Sequence, residues 1–247
     1  MISHKHKCIF AHIPKNAGTS VESAFGFSDI YHKGTAKHSP IWCYQGHWSE
    51  RVKFREYPLE THRMWVDPKG FQDPSYAKNM DAYTKFAIVR NPWDRLHSTW
   101  KYDRKLLTGE FKDLVAKESS ESSIKWLKTR RDWYSDFVSK AGDTFSDFVK
   151  NVNVNWFGLL GRRTWCNLDI EKNYPEGYPK YHWIKWHQYS QLTFLVDVNN
   201  NVLVDNILKF ENLSEDWEKF CNKHKLNLTL PHINASTGDS YKFDYTP

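Results

Sequence analysis

The sequence predicts an α/β fold in which a central, mostly parallel sheet is flanked by helices. Two observations carry this expectation. Short apolar runs at residues 7–13 and 85–90 each pass directly into a stretch with helical periodicity, the strand-loop-helix alternation that builds a parallel sheet. At 247 residues the chain is long enough for one large core, so it reads as a single domain over 1–247 with an irregular excursion at about 27–83.

The first junction is Ile9-Phe10-Ala11-His12-Ile13-Pro14-Lys15-Asn16-Ala17-Gly18-Thr19-Ser20. Pro14 and Gly18 bound the loop, and Val21, Ala24 and Phe25 recur at helical spacing, so a helix is expected over roughly 17–26. The first N–H groups of such a helix have no intrahelical partner and lie at the positive end of its dipole, which makes the junction a cradle for phosphate or sulfate. Gly18 would let the backbone approach a bound group, Thr19 and Ser20 add hydroxyls, and Lys15 supplies a cation. In a Walker A loop the lysine follows the last glycine; here Lys15 precedes Gly18, so an ordinary nucleoside triphosphatase fits poorly.

The excursion from Phe27 to about Tyr83 is broken by Pro40, Pro58, Pro68 and Pro74 and contains His38 and His47. Regular structure returns at Lys85-Phe86-Ala87-Ile88-Val89-Arg90, a run that fits a buried parallel strand. Asn91 then reads as an N-cap and Pro92 as the first residue of a helix that runs to about Leu107. Trp93, Leu96, Trp100 and Leu107 define its packing side, and Asn91, Arg95, Ser98 and Tyr102 its polar side. Arg90 and Ser98 can thus face one crevice at the carboxyl end of the sheet. Weaker helical signals follow between Glu110 and Tyr181. Thr193–Val198 and Val202–Phe210 flank an Asn199-Asn200-Asn201 turn and read as a hairpin-like pair of strands. Ser214, with Glu215 and Asp216, opens a last helix whose Trp217, Phe220, Cys221 and His224 share a face.

Composition narrows the partners. Thirty-five basic residues against twenty-nine acidic ones give a net charge of +6, suited to an anionic ligand but too diffuse to require nucleic acid. Cys8, Cys43, Cys166 and Cys221 are too scattered for a zinc site or a disulfide framework, so reduced buried thiols are expected, and no metal. No apolar run approaches the roughly twenty residues that span a bilayer. The expectation is a soluble, cytoplasmic protein without a transmembrane segment.

His12-Ile13-Pro14-Lys15-Asn16-Ala17-Gly18-Thr19-Ser20, together with Phe86-Ala87-Ile88-Val89-Arg90-Asn91-Pro92-Trp93-Asp94-Arg95-Leu96 and Ser98, resembles the carbohydrate sulfotransferase family. The nearer likeness is to the branch of uronyl and heparan 2-O-sulfotransferases and their bacterial relatives, whose late motif is similar to Phe210-Glu211-Asn212-Leu213 and whose closing loop is similar to Leu230–Ser236. The resemblance implies a P-loop-NTPase-like three-layer fold and a sulfotransferase that uses 3'-phosphoadenosine-5'-phosphosulfate and releases 3'-phosphoadenosine-5'-phosphate. It implies that Lys15, Asn16, Ala17, Gly18, Thr19 and Ser20 hold the phosphosulfate, with Lys15 the key cation, and that Arg90 and Ser98 hold the 3'-phosphate. It implies a histidine general base, His38 with His47 as the second candidate, acting on a hydroxyl of a saccharide or glycoconjugate. Trp42, Trp48, Trp65 and Tyr76 are candidates to stack on that sugar. Two other classes compete at this stage. A kinase-like phosphotransferase would need magnesium and acidic ligands for it, and a non-catalytic protein would only bind an anionic glycan or nucleic acid.

Overall fold

A computed structural model of the chain describes residues 1–3, 5–26, 30, 31, 41, 82–116, 121–151, 190–196 and 201–233. The elements in order are β1 (Ile2–Ser3), β2 (Cys8–Ala11), α1 (Gly18–Phe25), β3 (Ile30–Tyr31), β4 (Thr84–Val89), α2 (Pro92–Lys105), α3 (Glu110–Ala116), α4 (Glu121–Ala141), α5 (Phe145–Asn151), β5 (Asn206–Lys209) and α6 (Leu213–His224). The chain forms two compact units. One holds the sheet with α1 and α6, and the other holds α2 to α5.

The sheet has the order β3-β1-β2-β4-β5. β2, β4 and β5 are mutually parallel, whereas β1 runs antiparallel to both its neighbours. Ala11 pairs with Ala87, and Val89 with Lys209, so the loops that leave β2 and β4 start from the same edge of the sheet. Every residue of β2 is buried, as expected of a strand covered on both faces. Cys8, Phe10, Phe86, Ile88 and Leu208 share one face, on which Val21 and Phe25 of α1 and Trp217, Phe220 and Cys221 of α6 pack. Phe86 is the hub, with ring centroids 4.9 Å from Phe10 and 4.5 Å from Phe220. Each such buried ring contributes about 1.5–3 kcal/mol from area alone. Burial pushes the Cys8 thiol up to about 12, with Cys221 adding to the effect, and both cysteines are free. Cys43 and Cys166 lie outside the described residues.

The expected strands at 7–13 and 85–90 and the helices at 17–26 and after Asn91 are present. Of the expected hairpin-like pair, the described residues show the antiparallel bridge from Val196 to Val202, with the Leu203 N–H donating to the Leu195 carbonyl at 2.8 Å; Gln191–Phe194 is a 3-10 turn, and 197–200 lie outside the described residues. Asn206–Lys209 instead pairs parallel with β4, whose open edge offers a ladder. That register is pinned where Lys85 N donates to Asp205 Oδ2 at 2.7 Å and Asp205 N to the Lys85 carbonyl at 2.8 Å. The last helix begins at Leu213 rather than with Ser214 as a cap, and no side chain caps its first residue. Its buried face of Trp217, Phe220 and Cys221 is the expected one.

In the second unit Trp100, Tyr134 and Phe148 form a core joined by Leu96, Phe137, Val138 and Phe145. The faces expected of α2 need correction. Trp93 is 48% and Leu107 37% exposed, while Arg95, His97, Thr99 and Asp103 are buried. Two local causes account for this. The fully buried Asp103 carboxylate receives the Nε of Arg130 from α4 at 2.5 Å, so a polar partner meets that side of the helix. The helix also ends in a tight turn, Leu106 N to the Asp103 carbonyl, which turns Leu106 inward and Leu107 out. No described helix is long and apolar enough to cross a membrane.

Candidate anion-binding site

The loop from β2 to α1 turns through two residues in the left-handed region, Lys15 (φ 70°) and Ala17 (φ 57°). Outside glycine this conformation costs about 1 kcal/mol or more per residue. Alternation of φ sign around Asn16 turns successive N–H groups toward one side, the geometry of an anion-binding nest. The helix then starts at Gly18, and the first bond closing onto the loop is from Val21 N to the Ala17 carbonyl, at 3.2 Å. No acidic residue occupies the first turn, where a negative side chain would compete for the positive end of the helix.

The glycine of this motif has a further reason beyond the expected approach to a bound group. Its φ is not positive, and a Cβ added there would overlap the imidazole of His12. That imidazole is buried, stacked on Phe10 at 5.6 Å, and its Nδ1 lies 3.8 Å from the buried Glu22 Oε1 on α1. The pair forms a floor beneath the first turn of α1. Sequence reasoning quoted His12 within the motif without giving it a role.

The loop is braced from across the sheet edge. Asn16 is fully buried, and its Nδ2 donates to the Ile88 carbonyl at 2.7 Å and to Gln191 Oε1 at 2.6 Å. Gln191 Oε1 also accepts from the Arg90 N–H at 2.9 Å, and its Nε2 donates to the Arg90 carbonyl at 2.6 Å. One carboxamide thus satisfies both backbone groups of Arg90, imitating a neighbouring strand. The Arg90 guanidinium donates through Nη1 to the Lys15 carbonyl at 3.3 Å and lies 4.2 Å over the Phe210 ring, a cation–π arrangement. Glu211 Oε1 accepts from Asn91 N at 2.6 Å, and Ser20 Oγ from Ile233 N at 3.3 Å, which brings the end of the described chain onto α1.

Of the expected residues, the structure brings together Lys15, Asn16, Ala17, Gly18, Thr19, Ser20 and Arg90 in the first unit. Lys15, Ala17, Thr19 and Arg90 are half-buried, and Asn16, Gly18 and Ser20 are buried. Ser98 is half-buried on α2 in the second unit. His38, His47, Trp42, Trp48, Trp65 and Tyr76 lie outside the described residues. Gln191, Glu211 and the His12–Glu22 pair were missed by sequence reasoning. Among the described residues no group of three or more His, Cys, Asp or Glu is placed to hold a metal ion. Two cationic side chains, a nest of N–H groups and a first helical turn without an acidic residue make a set suited to an oxyanion ester.

A protein-family model described as the sulfotransferase family matches residues 1–239. Comparison with curated proteins and with solved structures gives no significant match.

Proposed function

Because the chain belongs to the sulfotransferase family, a family of transferases acting on hydroxyl-bearing acceptors, we propose that it transfers a sulfuryl group from 3'-phosphoadenosine-5'-phosphosulfate to a hydroxyl of a carbohydrate. We read the chain as one catalytic domain of the P-loop-NTPase-like three-layer type. The observation that carries the reading is the Lys15–Ser20 turn at the helix end, joined to Arg90 by the bond to the Lys15 carbonyl. The donor, when bound, supplies an activated sulfuryl group on a phosphate leaving group. The N–H groups around Ala17 and Gly18 bind the phosphosulfate, and the Lys15 ammonium stabilises charge on the departing phosphate oxygen. Arg90, held over the Phe210 ring, binds the 3'-phosphate through its guanidinium. For Ser98, the assignment to that phosphate rests on the sequence resemblance alone. So does the base: His38, with His47 second, takes the proton of the acceptor hydroxyl, a task suited to an unperturbed pKa of about 6.5.

Asn16 contributes its backbone to the cradle while its side chain braces the loop. The kinase-like alternative is less well supported, since Lys15 precedes Gly18 and the loop lacks the Walker A order of glycine, lysine and hydroxyl residue.

The test is a transfer assay with radiolabelled sulfate donor and a panel of saccharide acceptors. Lys15→Ala should lower turnover on the order of 10²-fold to 10³-fold and His38→Ala by about 10²-fold to 10⁴-fold. Wild-type protein that binds ATP with magnesium but not the sulfate donor in calorimetry would overturn the reading. Wild-type turnover by His38→Ala would move the base to His47.

A further inference from the structure

We propose that Gln191 is a positioning residue for the transfer reaction. Its carboxamide locks the Lys15–Ala17 turn and Arg90 into one body, so that both anion-binding loops are set before the donor arrives. The inference rests on the assignment of Lys15 and Arg90 to the donor's two anionic ends.

Three observations carry it. First, the turn is strained at both residues flanking Asn16, so it persists only if its surroundings over-determine it. Asn16, at its centre, is fully buried, and one of its two side-chain bonds goes to Gln191. Second, Gln191 takes both backbone groups of Arg90, the residue just past the last ladder pair of β4 with β5. A side chain that completes the ladder there fixes the direction in which the guanidinium leaves the sheet. Third, the guanidinium returns to the Lys15 carbonyl, closing a ring of contacts from Lys15 and Asn16 through Gln191 and Arg90 back to Lys15. A single shared oxygen, Gln191 Oε1, receives both Arg90 N and Asn16 Nδ2. Movement at either loop is therefore felt at the other. Gln191 itself comes from a 3-10 turn, Gln191–Phe194, that contributes no strand to the sheet.

The experiment compares the wild-type chain with Gln191→Met, which keeps length and loses the amide, and Gln191→Glu, which keeps the shared acceptor oxygen but turns a carboxylate oxygen and a negative charge onto the Arg90 carbonyl. Thermal unfolding, exchange of the Arg90 amide proton, calorimetry with 3'-phosphoadenosine-5'-phosphate, and kcat and KM are measured on each. Gln191→Met should expose the Arg90 amide to exchange, weaken nucleotide binding about 10-fold and lower kcat on the order of 10²-fold, the loss expected of a misplacement near 1 Å. The acceptor KM should change less than kcat, and Gln191→Glu should also lose nucleotide affinity and kcat, since its carboxylate repels the Arg90 carbonyl. A Gln191→Met protein that unfolds at lower temperature yet binds nucleotide and turns over within twofold of wild type has lost only stability, and overturns the proposal. If Gln191→Met does not fold, wild-type affinity and kcat in Gln191→Glu overturn it instead. Wild-type protein that fails to bind the nucleotide refutes the donor assignment and the proposal with it, whereas binding by wild type with no change in the variants refutes the proposal alone.

Discussion

Gly18→Ala adds one methyl group at the start of α1 and sets two effects against each other. Gly18 does not adopt a positive φ, so the backbone tolerates alanine, and the gain in helix propensity and loss of unfolded-state entropy would stabilise by about 0.4–1 kcal/mol. Against this, the new Cβ overlaps the imidazole of His12. The ring cannot swing aside freely: Phe10 stacks on it, Glu22 sits beside Nδ1, and its exposure is only 4%. Overpacking at a confined site costs about 1–3 kcal/mol, so the net effect is a destabilisation of roughly 1–2 kcal/mol. For a chain of this size that lowers Tm by about 2–8 °C. The assay is a double-mutant cycle in thermal or urea unfolding with His12→Ala as the second change. In the His12→Ala background the overlap is gone, and Gly18→Ala should become neutral or stabilising. Equal destabilisation in both backgrounds, or a raised Tm in the wild-type background, would refute the steric account of this glycine.

Other consequences are open to measurement. Arg130→Met removes the cation paired with the fully buried Asp103 carboxylate and should destabilise by about 3–5 kcal/mol, whereas Arg130→Met with Asp103→Leu should recover most of that loss. An additive double variant in urea denaturation would show that the buried pair is not the cause. His224 is held below its ordinary pKa by burial and then by Lys223, with Asp205 opposing. The unfolded chain therefore binds this proton more readily than the folded one. The associated stability is fully present above about pH 6.5 and is lost as pH falls through the lowered folded value. Tm curves of wild type and His224→Gln between pH 7.5 and pH 5 should therefore differ in slope, the wild type losing more, and parallel curves would exclude the effect.

The two strand-loop-helix junctions were readable because their signals are local: an apolar run, a proline at the first position of α2 and helical spacing behind it. The brace was not, because its bonds join residues 101 and 175 apart in the chain, and a glutamine beside an unremarkable 3-10 turn carries no periodicity. Glu211 lay within a quoted motif, but its acceptance of the Asn91 N–H, 120 residues away, has no sequence signature. β1 and β3, at two residues each, are too short for any alternation to show. Val202–Phe210 has the pattern of a strand but nothing in it names every partner: Val202 bridges Val196 as expected, whereas Asn206–Lys209 joins β4. β4 competes for that strand through Lys85 and Asp205, and wins. On α2, hydrophobic spacing chose a face that ignored the buried Asp103–Arg130 pair.

Lys15 and Gly18, the two positions of the opening loop that the sequence weights most, also carry separate structural tasks. A glycine in a loop is commonly needed for its left-handed conformation, yet here Lys15 and Ala17 adopt that conformation and Gly18 does not. Their strain is held by groups outside the motif: Asn16 through Gln191, and the Lys15 carbonyl through Arg90. Gly18 serves the other side of the loop, where the absence of a Cβ lets the helix start settle onto His12. The shape of the anion cradle therefore depends on one contact from below and one brace from across the sheet edge. A substitution at His12 or Gln191, neither assigned to the donor, should disturb the cradle through different routes and leave Lys15 itself intact.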